Sequence, residues 1–439
     1  MPYRRISDDI AYYMVTVNEK GTESSLDSDG VHGVLSQRII SKLQSDNVTD
    51  LFIQVHGWKA AMDEAYQQFD QWFCAFAACE RDHQTMKKHR ENFQPLYVGF
   101  HWPSLPWGDE SPKNGVSFTV REAAHYTAAT FIDYFSSQLT DTPVVRSLLN
   151  TIFEEWRDNA GADELSPRAI EAYLALNEAL LLGEEGQAGD GASDREPFDP
   201  EVAFENGLSF SSFDSNTLQD ALLSPLRQLS FWNMKKRAKT VGEQGLYPLL
   251  RALQQAIPEL YIHLMGHSFG CIVVMAGIAG PRGNSPLIRP INSAVLVQGA
   301  MSAWSFVTTI PDTNSLGGYF HSVIQDNKIE GPLVCTLSMS DMAVGCLYPL
   351  AAGIAGQTSF TRDDPPKYGA IGAWGISHIL TSSMLPLNED YAWQPGGVYN
   401  IEASGWIKEI KGISGSHNDI AKPEVGHLLW QAALKGDKP

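Results

Sequence analysis

The segment that most constrains this chain runs from Leu260 to Ile278. The apolar stretch Leu260-Tyr-Ile-His-Leu-Met265 has strand composition and runs straight into Gly266-His267-Ser268-Phe269-Gly270, after which Ile272-Val-Val-Met-Ala-Gly-Ile278 continues as an apolar helix. A strand that becomes a helix across so short a turn leaves the backbone little room. Ser268 is then expected in a strained conformation, and any side chain at Gly266 or Gly270 would block the close approach of helix to strand. A glycine-lined turn of this kind also occurs as plain core structure, so its chemistry depends on which residues join it.

The rest of the chain alternates between short β-rich and helix-period stretches, the pattern of a parallel sheet with helical crossovers. Strands are expected at Tyr12 to Val17, Leu51 to Val55 and Pro95 to Phe100, and later at Ser293 to Val297, Leu333 to Leu337 and Val398 to Ile401. A helix from about Ser36 to Leu43, with Ser36 as its N-cap, lies between the first two. Between about Ser104 and Leu229 helical patterns dominate. One helix there is well punctuated: Ser166 caps it, Pro167 suits its first position, Ile170, Tyr173, Leu174 and Leu181 form a stripe, and Gly183 ends it. The Gly-rich residues that follow have linker composition, and mobility is expected over about 183–200. After Trp232 the alternation resumes with a helix over about Lys235 to Gln255, carrying Val241, Leu246, Leu249, Leu250 and Leu253 to the core. The expected fold is an open α/β sheet, mostly parallel, flanked by helices and interrupted by a large helical insertion. Residues 1–103 and 231–439 form the discontinuous core, and 104–230 form the insertion, a cap or lid.

Composition narrows the function classes. Lys and Arg number 32 against 51 Asp and Glu, and the resulting charge of -19 repels phosphate backbones and anionic headgroups. A nucleic-acid partner is not expected. With 43% hydrophobic residues the chain can bury a full core. Asp8 and Asp9 stand where a signal peptide needs its apolar region, and the uncharged run Met342 to Thr361 is broken by Pro349 and glycines. A cytoplasmic location without stable membrane insertion is the expectation, with export that uses no N-terminal signal left open. Five cysteines, Cys74, Cys79, Cys271, Cys335 and Cys346, fit reduced thiols better than a disulfide framework, and Cys74 and Cys79 lack partners at zinc spacing.

In open α/β sheets ligands sit beyond the carboxyl ends of the strands. A serine hydroxyl there is a poor nucleophile until an imidazole takes its proton and a carboxylate orients that imidazole. Asp341 follows the strand Leu333 to Leu337, although a turn or N-cap aspartate is a common fate at such a place. His417 stands in the loop Gly415-Ser416-His417-Asn418-Asp419, before a closing helix over Val425 to Ala433. His427 belongs to that helical pattern and His378 to an apolar Gly-rich stretch, so both are weaker candidates for the base. Acyl transfer also needs oxyanion donors. The backbone N–H groups of Phe269, after the serine, and of Trp58, in His56-Gly57-Trp58, are the candidates.

These residues resemble the α/β-hydrolase superfamily: His56-Gly57-Trp58 after one strand, Gly266-His267-Ser268-Phe269-Gly270 at an elbow, then Asp341 and His417 in the chain order Ser, Asp, His. Gly-His-Ser-Phe-Gly looks most like the lipase and esterase members. The resemblance implies Ser268 as nucleophile, His417 as base and Asp341 as its orienter, with no metal or organic cofactor. It covers about residues 1–103 and 231–439. The chain lacks the His-Gly-Gly-Gly oxyanion loop of some esterases, and Ser268 at the elbow argues against dehalogenase and epoxide-hydrolase chemistry, which needs a carboxylate there. Trp58, Trp102, Trp107 and Phe269, beside the insertion, suggest an apolar small-molecule ester as substrate. A thioesterase or acyltransferase on the same residues, a peptidase, and a silent hydrolase-fold binding module are the alternatives. Convergence of His56, Ser268, Asp341 and His417 from both sides of the insertion implies one split α/β domain.

Overall fold

The computed structural model describes residues 3–6, 10–25, 33–58, 62–104, 127–159, 162, 164–183, 189–190, 194–211, 221–311, 313, 315–353 and 366–436. Among the described residues nine strands form one sheet: β1 (Tyr3–Arg5), β2 (Ala11–Thr16), β3 (Asp50–Val55), β4 (Pro95–His101), β5 (Tyr261–His267), β6 (Ser293–Val297), β7 (Leu333–Leu337), β8 (Thr381–Ser383) and β9 (Val398–Glu402). Their spatial order is β1-β2-β4-β3-β5-β6-β7-β9-β8, and only the β1–β2 pair is antiparallel. The expected α/β sheet is therefore present, drawn from both sides of residues 104–230. The two edge strands β1 and β8 went unpredicted, because each is three residues long with no buried residue and so has no apolar alternation to read.

The order contains a reversal. After β3 the chain steps back to β4, whereas after β5 it proceeds outward to β6, so the loops leaving these two neighbours diverge. Such a switch point opens a crevice at the carboxyl ends of the strands. His56-Gly57-Trp58 leaves β3 on one side of it and Ser268 leaves β5 on the other.

Strand alternation sorts the core into two layers. On β5, Ile262 and Leu264 face the layer containing α1 (Leu35–Ser45), α8 (Ser224–Val241), α9 (Tyr247–Ala256) and α10 (Gly270–Ala279). Met265 faces the other layer, with α2 (Met62–Ala77), α3 (Glu80–His89) and the closing helix α11 (Pro423–Leu434), where Trp430 stacks on Phe76 with centroids 4.1 Å apart. Helix α10 is buried along its whole length, which matches its unbroken apolar sequence. A third apolar cluster belongs to α4 (Ala128–Gln138), α5 (Pro143–Asp158), α6 (Pro167–Ala179), α7 (Pro200–Ser211) and the first half of α8.

Several local expectations need correction. Ser36 does not cap α1: the N-cap position is Val34, and the Ser36 hydroxyl hydrogen-bonds Glu23. Ser166 does cap α6, accepting from the Ala169 N–H at 3.1 Å, but the helix ends at Ala179 and its buried face is Ala169, Ala172, Tyr173 and Leu176. Leu174 and Leu181 are exposed instead, since the face is set by what the neighbouring helices present and not by the largest apolar side chains. The helix expected from Lys235 begins earlier, at Ser224, so it runs through position 231, and it passes into α9 through the π-turn Gly242–Leu246. Expected mobility over 183–200 falls partly on 184–188 and 191–193, outside the described residues. Within that range Asp194 is fully buried and is no linker residue.

Helix α8 holds these parts together with its basic run. The Lys235 ammonium lies 3.5 Å from Asp194 and contacts the Tyr348 hydroxyl. Lys236 donates to the carbonyls of Leu180 and Leu181 just beyond α6, at 3.2 and 2.8 Å. Arg237 donates to Pro103 O at 3.1 Å and Leu139 O at 3.2 Å, joining the exit of β4 to the end of α4. Lys239 lies 3.6 Å from Asp190. Burial pushes the Lys235 ammonium below the ordinary lysine range and the Asp194 carboxyl above that of aspartate.

The π-turn rests against α10 at Gly242, where an added Cβ would lie 2.5 Å from both Ala276 Cβ and the Val273 carbonyl. A Gly242→Ala variant is therefore expected to be destabilised by about 1–3 kcal/mol, read as a lower urea-unfolding midpoint. Gly405→Ala is the control, because a Cβ there meets nothing within 4 Å.

Candidate active site

The backbone at Ser268 has φ 55°, the left-handed region that a non-glycine residue enters only under constraint. Three hydrogen bonds fix it: the Ser268 N–H donates to Val297 O at 3.2 Å, and its carbonyl accepts from Cys271 N–H at 3.1 Å and Ala300 N–H at 3.2 Å. The flanking glycines have the packing reason anticipated from sequence. A Cβ on Gly266 would lie 2.6 Å from Gly270 O, and one on Gly270 would lie 2.4 Å from Val55 O and 2.6 Å from His56 O. Gly57 meets the serine directly, since a Cβ there would lie 2.6 Å from Ser268 Cβ and 3.2 Å from its Oγ. The exit of β3 thus lies against the elbow.

His56 shapes that exit. It is fully buried, its Nδ1 donates to Gly57 O at 2.8 Å, and its Nε2 accepts from the Trp102 N–H at 3.3 Å and lies 2.9 Å from His101 Nδ1. Across a planar trans peptide the Gly57 C=O and the Trp58 N–H point in opposite directions. Because the carbonyl is held on the His56 ring, the Trp58 N–H is turned away from that ring. Phe269 occupies the N-terminal boundary of α10, where helix N–H groups and the dipole favour negative charge.

Asp341 is buried in the turn after β7 and uses both carboxylate oxygens. Oδ1 accepts from the Val344 N–H at 3.2 Å, capping the π-turn Ala343–Leu347, while Oδ2 accepts from His417 Nδ1 at 2.7 Å. Turn cap and histidine partner are thus the same residue. A carboxylate accepts only, so Nδ1 carries the imidazole proton and Nε2 presents a lone pair. The two loops are pinned together: Asp341 bridges Gly415, and Ser416 N–H donates to Ser340 O at 2.9 Å. Gly415 has φ 64°, and a Cβ there would lie 2.3 Å from Ser340 O.

His267, the residue before the serine, brings this pair to the elbow. Its Nε2 donates to His417 O at 3.0 Å and the two rings have centroids 4.8 Å apart. Ser268 and His417 are 6% and 8% exposed, so both are nearly sealed yet reached by solvent.

The rival histidines are otherwise engaged. His427 is buried between α3 and α11, with Nδ1 2.6 Å from Asp82 Oδ2 and Nε2 2.9 Å from Glu389 O. His378 is exposed and meets Trp304 edge-on. Trp102 is a core residue: fully buried, it stacks on His56 and donates from Nε1 to His56 O at 2.9 Å, so it lines no pocket. Trp107 and residues 354–361 of the uncharged run lie outside the described residues. Trp58 and Phe269, by contrast, meet Phe231 of α8, with centroids 5.7 and 5.1 Å from its ring, and Tyr348 completes the group. Sequence reasoning missed Phe231, Tyr348, His267 and Gln298. Nothing short of the three-dimensional crossing of β6, α8 and the turn after β7 reveals them, although His267 lies inside the motif itself.

The five cysteines are unpaired thiols, with Cys79, Cys271 and Cys335 buried. Among the described residues no helix is long and apolar enough to cross a membrane. Compared with family models, curated proteins and solved structures, the chain matches none.

Burial pushes three histidines at this edge down. His101 falls to about 4, His56 lies well below the usual histidine range with His101 adding to the effect, and His267 does likewise with His417 adding. Unfolded histidine takes up a proton near pH 6.5 while these native rings resist, so the unfolded state binds more protons and stability falls as pH drops from about 6.5 towards 4. His101 alone contributes about 3 kcal/mol to that loss. In urea unfolding at pH 7 and pH 4, His101→Gln is expected to lose less stability than the wild type by about that amount. Equal losses would remove His101 from this account.

Proposed function

We propose that the chain is a serine hydrolase of the α/β-hydrolase type, cleaving a carboxylic ester through Ser268, His417 and Asp341. The observation that carries this reading is the Asp341–His417 pair, 2.7 Å apart, held against the residue that precedes the strained Ser268. In this reading His417 Nε2 takes the Ser268 proton as Oγ attacks the ester carbonyl, and the same proton passes to the leaving alcohol. Asp341 keeps the imidazole in the required tautomer and offsets the positive charge it acquires. The Phe269 and Trp58 N–H groups receive the oxyanion, each contributing on the order of 3 kcal/mol to barrier lowering. Water activated by His417 then releases the acid. No cofactor enters this sequence of steps.

The aromatic group Trp58, Phe231, Phe269 and Tyr348 supports an apolar acyl or alcohol portion as the substrate. It spans the boundary between the sheet core and the helices of 128–232, and in this reading those helices cover the site as a lid.

Ser268→Ala is expected to abolish both ester turnover and labelling by a fluorophosphonate probe. Asp341→Asn should lower kcat by roughly three to four orders of magnitude, because the asparagine amide favours the wrong imidazole tautomer. A panel of chromogenic esters of increasing acyl length reads both effects and the apolar preference. Undiminished turnover by Ser268→Ala would overturn the assignment.

A further inference from the structure

The strand between the one that presents Ser268 and the one that leads to Asp341 is followed directly by Gln298, a buried residue that the chemistry above leaves unused. Its backbone has φ 47°, so it shares with Ser268 a conformation that side chains rarely adopt. That conformation sends the side chain sideways to the neighbouring strand end, where Nε2 donates to Asp341 Oδ2 at 2.9 Å. This is the same oxygen that receives His417 Nδ1.

The orientation of the amide is not arbitrary. The Gln298 backbone N–H donates to Thr336 Oγ1 at 3.0 Å, which leaves the Thr336 hydroxyl proton to donate to Gln298 Oε1, also at 3.0 Å. Thr336 on β7 therefore fixes which end of the amide is oxygen and turns the nitrogen to the carboxylate. The adjacent carbonyl, Val297 O, accepts the Ser268 N–H. One β-strand terminus thus holds the backbone of the serine and the carboxylate of Asp341 together.

We infer that Gln298 is a positioning residue that, with Thr336, sets the direction and the strength of the Asp341–His417 hydrogen bond. The inference rests on the proposed hydrolase reading. A donor on Oδ2 leaves the carboxylate oriented along Nδ1 while withdrawing part of its negative charge from the imidazolium. Removing the donor frees the carboxylate to swing and also lets it stabilise the imidazolium more strongly, so the free-enzyme base stays protonated to higher pH. Burial raises the Cys346 thiol, with Asp341 adding to the shift, and burial lowers the His267 ring that faces His417 from β5. Asp341 is the carboxylate in contact with His417, and Asp419 in the same loop is engaged by Lys422 and by the N–H groups of Lys408 and Glu409.

The test compares wild type, Gln298→Met, Thr336→Val and Thr336→Ser in full-length protein, by kcat and KM on a chromogenic ester across pH 5–9. Fluorophosphonate labelling rates and a thermal melt accompany each variant. Gln298→Met keeps the side-chain length without the donor. Its kcat should fall roughly tenfold to a hundredfold with little change in KM, and the acid limb of kcat/KM should move to higher pH. Thr336→Val, which leaves Gln298 Oε1 without its donor and so loosens the amide against Asp341, should follow in the same direction, while Thr336→Ser, which keeps the hydroxyl, should restore the wild-type profile. A Gln298→Met enzyme that folds and retains the wild-type kcat and acid limb overturns the inference. So does a Thr336→Ser profile that matches Thr336→Val. If Gln298→Met does not fold, the two Thr336 variants decide. A wild type that the probe does not label overturns the hydrolase reading instead, so the two failures are told apart.

Discussion

The structure depends on one close crossing of backbones. Helix α10 starts against the last turn of β3, with Gly270 so near Val55 O and His56 O that no other residue fits, and Gly266 faces α10's own first turn with equal closeness. A left-handed serine costs about 1–3 kcal/mol and persists only where its surroundings over-determine it. Here the surroundings are the Val297 carbonyl of β6, the Ala300 N–H, and a helix buried on all sides. Once that crossing is fixed, β3 and β5 must be neighbours, the β3 exit must pass the serine, and β6 must end beside it. Site geometry is thus a by-product of how closely a strand and a helix can pack.

That dependence explains what was legible in the sequence. The elbow is local, spanning one strand, one turn and one helix start, and glycine and apolar run write it directly into the chain. The central strands were also readable, since burial on both faces leaves continuous apolar runs such as Ser293–Val297 and Leu333–Leu337. Asp341 and His417 stand out in the sequence because each follows the expected strand or precedes the expected helix. What stayed hidden depends on partners distant in sequence. Nothing in the sequence names the partners of the Lys235, Lys236, Arg237 and Lys239 run, yet each charge meets a carboxylate or carbonyl from elsewhere. Asp194 reads as linker until Lys235, Tyr348 and the Gly189 N–H enclose it. Trp102 sits at a strand end like Trp58, yet it is buried against the His56 ring while Trp58 is half-buried.

The helices of residues 128–232 are tied to the Ser268 edge of the sheet through α8. Phe231 and Lys235 lie one turn apart on α8; the first meets Phe269 and Trp58, and the second meets Tyr348 in the helix that follows the Asp341 turn. Displacing α8 would therefore disturb the aromatic side of the elbow and the carboxylate loop together. A helix with this many buried polar anchors is a poor hinge, because each separated charge would be left desolvated or newly hydrated. Any opening of the cover in the proposed function is consequently expected among α4 to α7, on the far side of the basic run.

A second serine, histidine and aspartate constellation in this protein shows why hydrogen-bond connectivity alone does not define a site. Ser293 Oγ lies 2.8 Å from His263 Nδ1, and His263 Nε2 lies 3.2 Å from Asp50 Oδ1. All three residues are fully buried, at the amino ends of β3, β5 and β6, and Asp50 is also paired with Arg90. The arginine satisfies the carboxylate that would otherwise polarise the imidazole, and packing against Phe52 closes the ring's face. The Ser268 group differs in the features that chemistry requires. It sits at the carboxyl edge, where strand ends diverge, its serine is raised on a strained turn at a helix N-terminus, and its aspartate is held by neutral donors and not by an arginine. Of the two groups, only the one at the switch point lies where an open α/β sheet leaves room for a ligand.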